Sequence, residues 1–195
     1  MILLCRDVKY NVLDEIQRRW SPRAFSNEKV NIDDIYGVLE AARLAPSCYN
    51  EQPWRYIIAF EEEDLKVMRD LIDKSNRVWA DNAPVLIAFL SKRRFKHNTR
   101  ENYWHMFDVG ASWGYLTIEA QSRGLITRGI GGFNMTRARR VLNVPYNYDI
   151  VTLVAMGKQG DVNILPEDLR VKEVPSERMD LSEILHIGKF RKGEE

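Results

Sequence analysis

The chain has 195 residues, of which 45% are hydrophobic and 29% are charged, a length and composition typical of one globular domain. Its 29 Lys and Arg residues against 28 Asp and Glu residues give a formal net charge of +1, so the composition offers no global electrostatic reason to bind nucleic acid or a membrane surface. Apolar stretches such as residues 85–90 are too short to cross a bilayer, and the N-terminus lacks the layout of a signal peptide. We therefore expect a cytoplasmic protein without nucleic-acid or membrane partners.

Few residues of this sequence are suited to hold a metal ion. Cys5, Cys48 and three scattered histidines show none of the CxxC, HxH or HExxH spacings that are typical of metal sites. We expect no metal site, and two cysteines cannot build a disulfide framework. No internal repeat and no linker rich in Pro, Gly or Ser divides the chain, which favours a single domain over residues 1–195.

The hydrophobic pattern predicts helices and strands that alternate without a regular βαβ order. A charged tail, residues 165–195, contains one short amphipathic piece at 181–185. Intermixed elements of this kind are typical of the α+β class, here with a mixed sheet covered by helices. The predicted elements are, in chain order, a helix between Asn31 and Pro46, a strand at 54–60, a helix at 62–73, a strand at 85–90, a helix at 103–122 and a strand at 150–156.

The longest predicted helix carries small residues on one face. Gly110, Ala111 and Gly114 stand at positions i, i+1 and i+4. Because each glycine in a helix interior costs about 1 kcal/mol relative to alanine, the stripe indicates close packing. Packing against a second subunit and packing against the chain's own core are both open.

A cluster of cations near the N-terminus suits a phosphate group. It places Arg18, Arg19 and Arg23 around Trp20 and Ser21. Guanidinium groups pair with phosphate oxygens in bidentate fashion, and a serine hydroxyl adds a neutral donor. The alternative is a solvated basic end of an N-terminal helix.

Two further segments could approach a planar ligand. Residues 45–54 form a loop between prolines that carries Ser47, Asn50 and Gln52, although an ordinary helix-to-strand connection is the alternative. Residues 129–134 are rich in glycine, which lets backbone N–H groups come close to a ligand. The second segment matches neither GxGxxG nor GxxxxGK[ST], so a Rossmann or P-loop interpretation is unsupported.

The run 92–97 contains five basic-type residues out of six. A solvated loop is one interpretation. The other is that Arg93, Arg94 and Lys96 border the active site and receive the 2′-phosphate of NADPH or an acidic substrate.

Together these segments resemble the FMN-dependent nitroreductase family, with its opening R-R-x-S-x-R-x-F, its A-P-S-x-x-N-x-Q-P-W loop and its I-x-G-F turn. Arg18 to Phe25, Ala45 to Trp54 and Ile130 to Phe133 match these motifs in the right order. The family's closing arginine and L-x-x-I stretch match Arg178 and residues 181–184. Residues 108–111 and 124–125 look like its central helix and the exit from it. The likeness spans residues 12–188.

The resemblance implies an FMN site. Arg19 and Ser21 would bind the phosphate with Arg178, and Arg23 would lie at the pyrimidine end of the flavin, where a cation stabilises the negative charge that reduction places at N1 and O2. Gly131 would present its backbone N–H to flavin N5, which is the catalytic contact. The other cofactor-binding residues that the resemblance implies are Arg18, Trp20, Pro46, Ser47, Asn50, Gln52, Gly129 and Gly132.

The chain departs from many family members at two places. Gly129 and Gly131 stand where proline and an acidic residue are common, so the N5 contact rests on the backbone alone. Cys48 and Tyr49 stand where small residues are common, which changes the shape of the substrate pocket. We expect Cys48 to be a buried or partly buried loop thiol without a catalytic role, because no histidine lies near it in sequence to activate the thiol.

The resemblance also implies an assembly and an activity. The fold would be a mainly antiparallel α+β sheet in a homodimer, with FMN at the interface and residues 165–195 wrapping the partner subunit. The enzyme would pass hydride from NAD(P)H to a nitroaromatic, a quinone or a similar electron-poor small molecule by a ping-pong mechanism. Reductive dehalogenation, ring oxidation, flavin breakdown and a flavin-binding protein without turnover remain alternatives.

Overall fold

The computed structural model describes residue 6 and residues 8–190, so Cys5 and the last five residues of the predicted tail lie outside it. Eight helices and four strands are formed by these residues. The helices are α1 (Asp14–Arg18), α2 (Ile32–Arg43), α3 (Glu62–Arg69), α4 (Lys74–Ala80), α5 (His105–Ser122), α6 (Met135–Val141), α7 (Glu167–Arg170) and α8 (Leu181–Ile184). The strands are β1 (Trp54–Ala59), β2 (Val85–Lys92), β3 (Ile126–Ile130) and β4 (Tyr148–Gly157).

The four strands form one sheet in the order β1-β2-β4-β3. Every neighbouring pair is antiparallel, with Ile57 opposite Ala88 in the first pair and Gly129 opposite Val154 in the last. The α+β class is confirmed. The expectation of a mixed sheet is wrong, because β3 returns beside β4 with antiparallel pairing.

Helices cover both faces of the sheet. Alternate residues of β2 point to opposite layers, so that Ile87 packs in the layer of α2 and α5 and Leu86 packs in the layer of α3 and α4. Both residues are fully buried. A strand that is covered on both sides needs apolar residues at consecutive positions, which explains the uninterrupted apolar run at 85–90.

Four of these elements, β3, α4, α6 and the four-residue α7, were not predicted from the sequence. β3 was missed because Gly129 and Arg128 interrupt its apolar pattern, and α4 and α6 were missed because each has only seven residues and many charges. α6 carries a local signal, since the Asn134 side chain caps it by accepting from the backbone N–H of Arg137 at 2.9 Å. The predicted helix N-cap at Asn31 is confirmed, with its side chain accepting from the Asp33 N–H at 3.0 Å.

The segment that carries the N-terminal cations is irregular and is fixed by the chain beyond β4. The Ser26 N–H donates to the Lys158 carbonyl at 2.9 Å, and the Gly160 N–H donates to the Ala24 carbonyl at 2.7 Å. Ala24 and Phe25 are buried between them. This pairing brings the N-terminal motif to the β4 side of the sheet.

No helix of the described residues is long and apolar enough to span a bilayer.

Candidate functional site

A cavity of about 210 Å³ lies where the N-terminal motif, β3 and the C-terminal segment meet. It brings together Arg19, Trp20, Ser21, Arg23 and Arg178, five of the residues predicted from the sequence. Its other lining residues are Arg6, Arg128, Lys172, Val174 and Ser176. We call it the basic cavity. A larger, mainly apolar cavity of about 640 Å³ adjoins it between residues 8–12 and 174–181 and shares four lining residues with it, Arg6, Val174, Ser176 and Arg178.

Three guanidinium groups of the basic cavity lie together, those of Arg6, Arg19 and Arg178. We call them the anion cluster, because these three cations are suited to hold an anion. Burial and the charges of Arg6 and Arg178 lower the pKa of Arg19, and burial together with Arg178 lowers the pKa of Arg6. None of the three forms an ion pair with a carboxylate of the described residues. Their direct partners are oxygens without charge, such as the Arg19 carbonyl, which accepts from Arg6 Nη1 at 2.6 Å, and Ser21 Oγ, 3.2 Å from Arg19 Nη1. Such a group has positive charge to offer to an anion.

The two other arginines of the basic cavity, Arg23 and Arg128, lie near a buried carboxylate, that of Glu173, which does not itself line the cavity. Arg128 Nη1 donates to the Ser21 carbonyl, and its guanidinium carbon lies 5.3 Å from the centroid of the buried Trp79 ring. Glu173 Oε1 accepts from the backbone N–H groups of Arg23 and Ala24, the latter at 2.8 Å. Glu173 Oε2 lies 3.6 Å from Arg23 Nη1. We call Arg23, Arg128 and Glu173 the paired cluster.

Arg18 is separated from the basic cavity despite its position beside Arg19. It ends α1 and its Nη2 donates to Asp14 Oδ2 at 2.7 Å, one helical turn earlier. Its side chain is 43% exposed. The solvated helix end, which the sequence left open as an alternative, therefore describes Arg18, whereas Arg19 turns inward.

The loop at 45–54 is held in an unusual backbone conformation. Tyr49, Asn50 and Gln52 have φ of 51°, 52° and 48°, in the left-handed region that residues other than glycine rarely adopt. The Gln52 N–H donates to Ser47 Oγ at 3.0 Å, and Gln52 Nε2 donates to Asn50 Oδ1 at 3.0 Å. Strain of this kind concentrates at functional sites. None of the predicted loop residues, Pro46, Ser47, Asn50 and Gln52, lines the basic cavity.

Two carboxylates anchor this loop. The Cys48 N–H donates to Asp108 Oδ2 on α5 at 3.2 Å, and Glu51 Oε1 accepts from the Lys96 N–H at 2.8 Å. Both acids are at most 5% exposed, and burial raises the pKa of Asp108. Cys48 is partly buried, as expected. The sequence-based analysis assigned no role to either acid, since a single Asp or Glu gives no local signal.

The glycine-rich segment begins in β3 and continues as a tight connection. The Gly132 carbonyl accepts from the Asp73 N–H at 3.0 Å, and a Cβ on Gly132 would stand 2.6 Å from Asn76 Nδ2. A Cβ on Gly129 would likewise come too close to the Trp113 ring. Gly131 differs, because nothing lies within 4 Å of the place where its Cβ would be. The backbone at Gly131 therefore faces open space, as a contact with a ligand requires.

The three residues of the basic run at 92–97 that were predicted to contact NADPH differ in their partners. The side chain of Arg93 is paired with an acid, whereas those of Arg94 and Lys96 are not. Arg93 donates to Asp149, and that carboxylate raises the pKa of Arg93. Arg94 donates only to the Thr99 carbonyl, at 3.0 Å, and Lys96 is exposed. Within the described ranges neither Arg94 nor Lys96 forms an ion pair.

The two glycines on the small-residue face of α5 do not pack against the chain's own core. Nothing lies within 4 Å of a Cβ built on Gly110 or on Gly114. On the same helix and just before it, Phe107 is 74% exposed and Trp104 is 58% exposed. The two glycines of the stripe therefore make no helix-to-core contact, whereas Ala111 between them is partly buried against the core.

Four residues of the site region, Arg6, Arg128, Lys172 and Glu173, were missed by the sequence-based analysis. They are isolated charges outside the recognised motifs, and their approach depends on contacts between distant parts of the chain, such as Arg6 Nε to the Ser176 carbonyl at 3.1 Å. A signal was present for Arg128, since a charged residue inside a β-branched run needs a polar partner.

Comparisons with known proteins identify the family of this chain. The profile of the Nitroreductase family matches residues 16–79 and 69–158. A solved structure of an oxidoreductase containing FMN superimposes with a TM-score of 0.92 at 35% identity and covers 95% of this chain and 96% of that chain. A protein of Archaeoglobus fulgidus, assigned as an NADH dehydrogenase/NAD(P)H nitroreductase, is 28% identical over 76% of this chain and 86% of its own length. Iodotyrosine deiodinase 1 of Sus scrofa is 26% identical over 77% of this chain and 63% of the pig protein.

The family profile extends over more than half of the chain, and the solved oxidoreductase is similar over nearly the full length of both chains. The resemblance stated from the three motifs is confirmed, and this chain belongs to the Nitroreductase family of oxidoreductases.

Proposed function

We propose that this protein is an FMN-dependent enzyme that takes hydride from NAD(P)H and passes it to an electron-poor small molecule such as a nitroaromatic or a quinone. The observation that carries the proposal is the anion cluster, which contains two arginines that the sequence motifs assign to the FMN phosphate and has no carboxylate of the described residues to balance it. The FMN-containing relative at 35% identity supports the choice of cofactor.

The residues present fit FMN. The phosphate carries two negative charges near neutral pH, and Arg6, Arg19 and Arg178 with Ser21 Oγ supply guanidinium forks and a hydroxyl suited to its oxygens. An anion bound there would also relieve the mutual repulsion that lowers the pKa values of Arg6 and Arg19.

The same cavity extends from the anion cluster to Arg23, which we assign to the pyrimidine end of the flavin. Bound FMN would supply hydride acceptance and donation at N5. Arg23 is fixed for its task by Glu173, which holds both its backbone N–H and its side chain. Gly131 would direct its backbone N–H toward N5, and its open surroundings leave room for a ring.

We infer that the enzyme is a homodimer and that the loop at 46–52 completes the cofactor site of the partner subunit. The loop is strained and carries the predicted flavin-lining groups, yet it does not line the basic cavity of its own chain. The open face at Gly110 and Gly114, together with exposed Phe107, offers apolar surface for the contact. Exposed apolar residues of the C-terminal segment, such as Ile187 at 90%, support the wrapping role.

An aromatic acceptor agrees with the side chains beside this loop. The ring centroid of Tyr49 lies 5.9 Å from that of Phe95 and 6.0 Å from that of His97. Tyr49 is 83% exposed, so its ring is accessible to a planar substrate. Aromatic faces of this kind stack on electron-poor rings.

Arg94 and Lys96 are the groups of the basic run that we assign to the 2′-phosphate of NADPH, because Arg93 is already paired with Asp149. Reversing the charges of Arg94 and Lys96 should raise the KM for NADPH more than the KM for NADH. Reversing Arg93 alone serves as the control and should change the two KM values alike. Equal changes in the first variant would mean that the run is a solvated loop.

A direct test of the proposed function uses the purified protein and its flavin absorbance. The protein should bind FMN, NADPH should bleach the flavin band, and a nitroaromatic or a quinone should restore it. Double-reciprocal plots should be parallel, because the chain has no Rossmann fingerprint and donor and acceptor would use one pocket in turn. Intersecting lines would contradict the shared pocket. A flavin that NADPH does not reduce would indicate a binding protein without turnover.

A second candidate function is reductive dehalogenation. Iodotyrosine deiodinases of pig and of Thermotoga neapolitana are 26% and 22% identical to this chain. A halogenated tyrosine would contact the same aromatic side chains and release halide. Halide release at a rate above that of nitroaromatic or quinone reduction would favour this function over the first.

A further inference from the structure

The five arginines of the basic cavity fall into two groups that differ in their counter-charges, and the exposed Lys172 at its edge belongs to neither. The anion cluster contains three guanidinium groups without a carboxylate of the described residues, and burial together with the neighbouring guanidinium groups lowers the pKa values of Arg6 and Arg19. The paired cluster differs because it contains a carboxylate. The neighbouring charges that act on Arg128 are those of Arg23 and Glu173, and Arg23 is itself beside Glu173.

The paired cluster keeps one positive charge in excess. Two guanidinium groups, on Arg23 and Arg128, face the single carboxylate of Glu173, whose side chain is 2% exposed. Glu173 Oε2 accepts no hydrogen bond from the described residues. One uncompensated positive charge in a partly dehydrated cavity matches the one negative charge that a flavin ring gains when it is reduced at neutral pH.

Arg128 is held rigidly for such a task. Its guanidinium lies over the Trp79 ring, and that ring stacks on Phe25 with centroids 6.1 Å apart. Trp79 and Phe25 are both at most 2% exposed, so the platform beneath Arg128 is fixed. The hydrogen bond to the Ser21 carbonyl directs the group toward the N-terminal motif. Because burial and Arg23 together lower the pKa of Arg128, a nearby anion is favoured there.

We propose that Arg128 is an additional flavin-tuning residue, which acts with Arg23 to bind reduced FMN more tightly than oxidised FMN, and that Glu173 positions Arg23 and limits the excess charge to one. This inference rests on the proposed FMN function. It assigns to Arg128 a role at the ring end of the cofactor, distinct from phosphate binding by the anion cluster.

The test compares the dissociation constants of oxidised FMN and of FMN reduced without oxygen in four variants. Arg128→Met removes the charge at similar length, and we expect the preference for reduced over oxidised FMN to fall about tenfold, which corresponds to a midpoint potential about 30 mV more negative for a two-electron couple. Arg128→Lys keeps the charge and should stay close to the wild type. Glu173→Gln leaves both guanidinium groups uncompensated and should shift the preference in the opposite direction.

Arg123→Met is the matched control, since Arg123 is balanced by Asp34 and Glu119 and does not line the basic cavity. It should leave the preference unchanged. Thermal unfolding of each variant shows whether it is folded. If Arg128→Met does not fold, the test rests on Glu173→Gln. An increased preference of that variant for reduced over oxidised FMN would support the proposal, and an unchanged preference would overturn it.

An equal weakening of both forms of FMN in Arg128→Met would also overturn it, because Arg128 would then serve phosphate binding or structure alone. Failure of the proposed function is a different result, in which the wild-type protein does not bind FMN at all or its bound FMN is not reduced by NADPH.

Discussion

At the scale of single residues, the main feature of the site is that charged side chains lie in partly dehydrated surroundings. Arg18 and Arg19 are neighbours in sequence, but the first pairs with Asp14 at the surface and the second enters the basic cavity. Solvent screens an exposed ion pair almost completely, whereas a guanidinium in a cavity retains its capacity to hold an anion. Side-chain direction, more than residue type, therefore decides which arginine binds.

Replacing Arg19 by alanine should weaken FMN binding by about 1.5 to 3 kcal/mol, the contribution of hydrogen bonds to a charged group. Arg18→Ala is the matched comparison. It should change the dissociation constant for FMN less than twofold, because the Arg18 guanidinium is already paired with Asp14. Fluorescence titration of the two variants with FMN measures both values. Equal effects would show that both arginines reach the phosphate.

Asp108 should make the stability of the protein depend on pH. Burial raises the pKa of this carboxyl above its value in the unfolded chain, so the folded state binds the proton more tightly. The stability that Asp108 contributes is therefore present at low pH and is lost as the pH rises through the interval between the two pKa values. At neutral pH the buried carboxylate is a net cost.

Asp108→Asn keeps an acceptor for the Cys48 N–H and should raise the unfolding temperature at neutral pH, with a gain that shrinks as the pH falls from the raised pKa of Asp108 toward the usual aspartate value. Thermal unfolding across a pH series measures it. Asp64→Asn on α3, which replaces an exposed acid, is the control and should change stability by about 0.5 kcal/mol or less. A gain that does not vary with pH would contradict the assignment to Asp108 ionisation.

At the scale of elements, the N-terminal motif has no regular structure of its own and depends on the chain after β4. Phe25 forms a bridge with Gln159, and backbone hydrogen bonds flank it on both sides. The residues that we propose for phosphate binding are thus placed by a short β-like pairing between segments more than a hundred residues apart.

Gly160→Ala should disturb this pairing, because a Cβ would stand 2.8 Å from the backbone of Phe25 and of Ser26. Backbone atoms cannot rotate away as a side chain can, so we expect a loss of about 1 to 3 kcal/mol in the free energy of unfolding, with weaker FMN binding. Gly131→Ala is the control for stability, since its Cβ would meet open space. Chemical denaturation of both variants gives the comparison, and equal losses would contradict it.

At the scale of the whole molecule, the described chain leaves apolar surface that a single copy does not cover. The face of α5 around Gly110 and Gly114 is open, and large apolar residues of both terminal segments are exposed, among them Tyr10 at 71% and Phe190 at 68%. Contiguous exposed apolar surface marks a protein contact.

Gly114→Leu separates a dimer contact from folding of the single chain. Within one chain the new side chain meets nothing, and leucine favours the helix by about 1 kcal/mol over glycine, so a monomer should fold at least as well. If a partner packs closely on this face, the variant should dissociate and lose FMN. Sedimentation velocity at micromolar concentration measures the assembly. A wild-type protein that is monomeric and still holds FMN would contradict the proposed shared site.

The sequence predicted much of the fold and the site for identifiable reasons. Long periodic elements such as α2, α5, β2 and β4 carry strong patterns and were found, whereas β3 was hidden by Arg128 and Gly129, which serve the cavity and the close packing against Trp113. The loop at 45–54 was recognised by its residues, but its three left-handed positions were not foreseen, because only their anchoring by Asp108 and Glu51 makes them stable.

By itself the sequence determined the family, through residue types at fixed spacing in three local motifs and a closing arginine. Only the tertiary structure decided which cations share a cavity: it excluded Arg18, admitted Arg6 and Arg128, and set Glu173 beside Arg23. The physical reason is that local motifs are fixed by chain geometry over a few residues. The balance of charge in a cavity depends instead on sheet pairing and packing, which join segments as distant as Arg6 and Ser176.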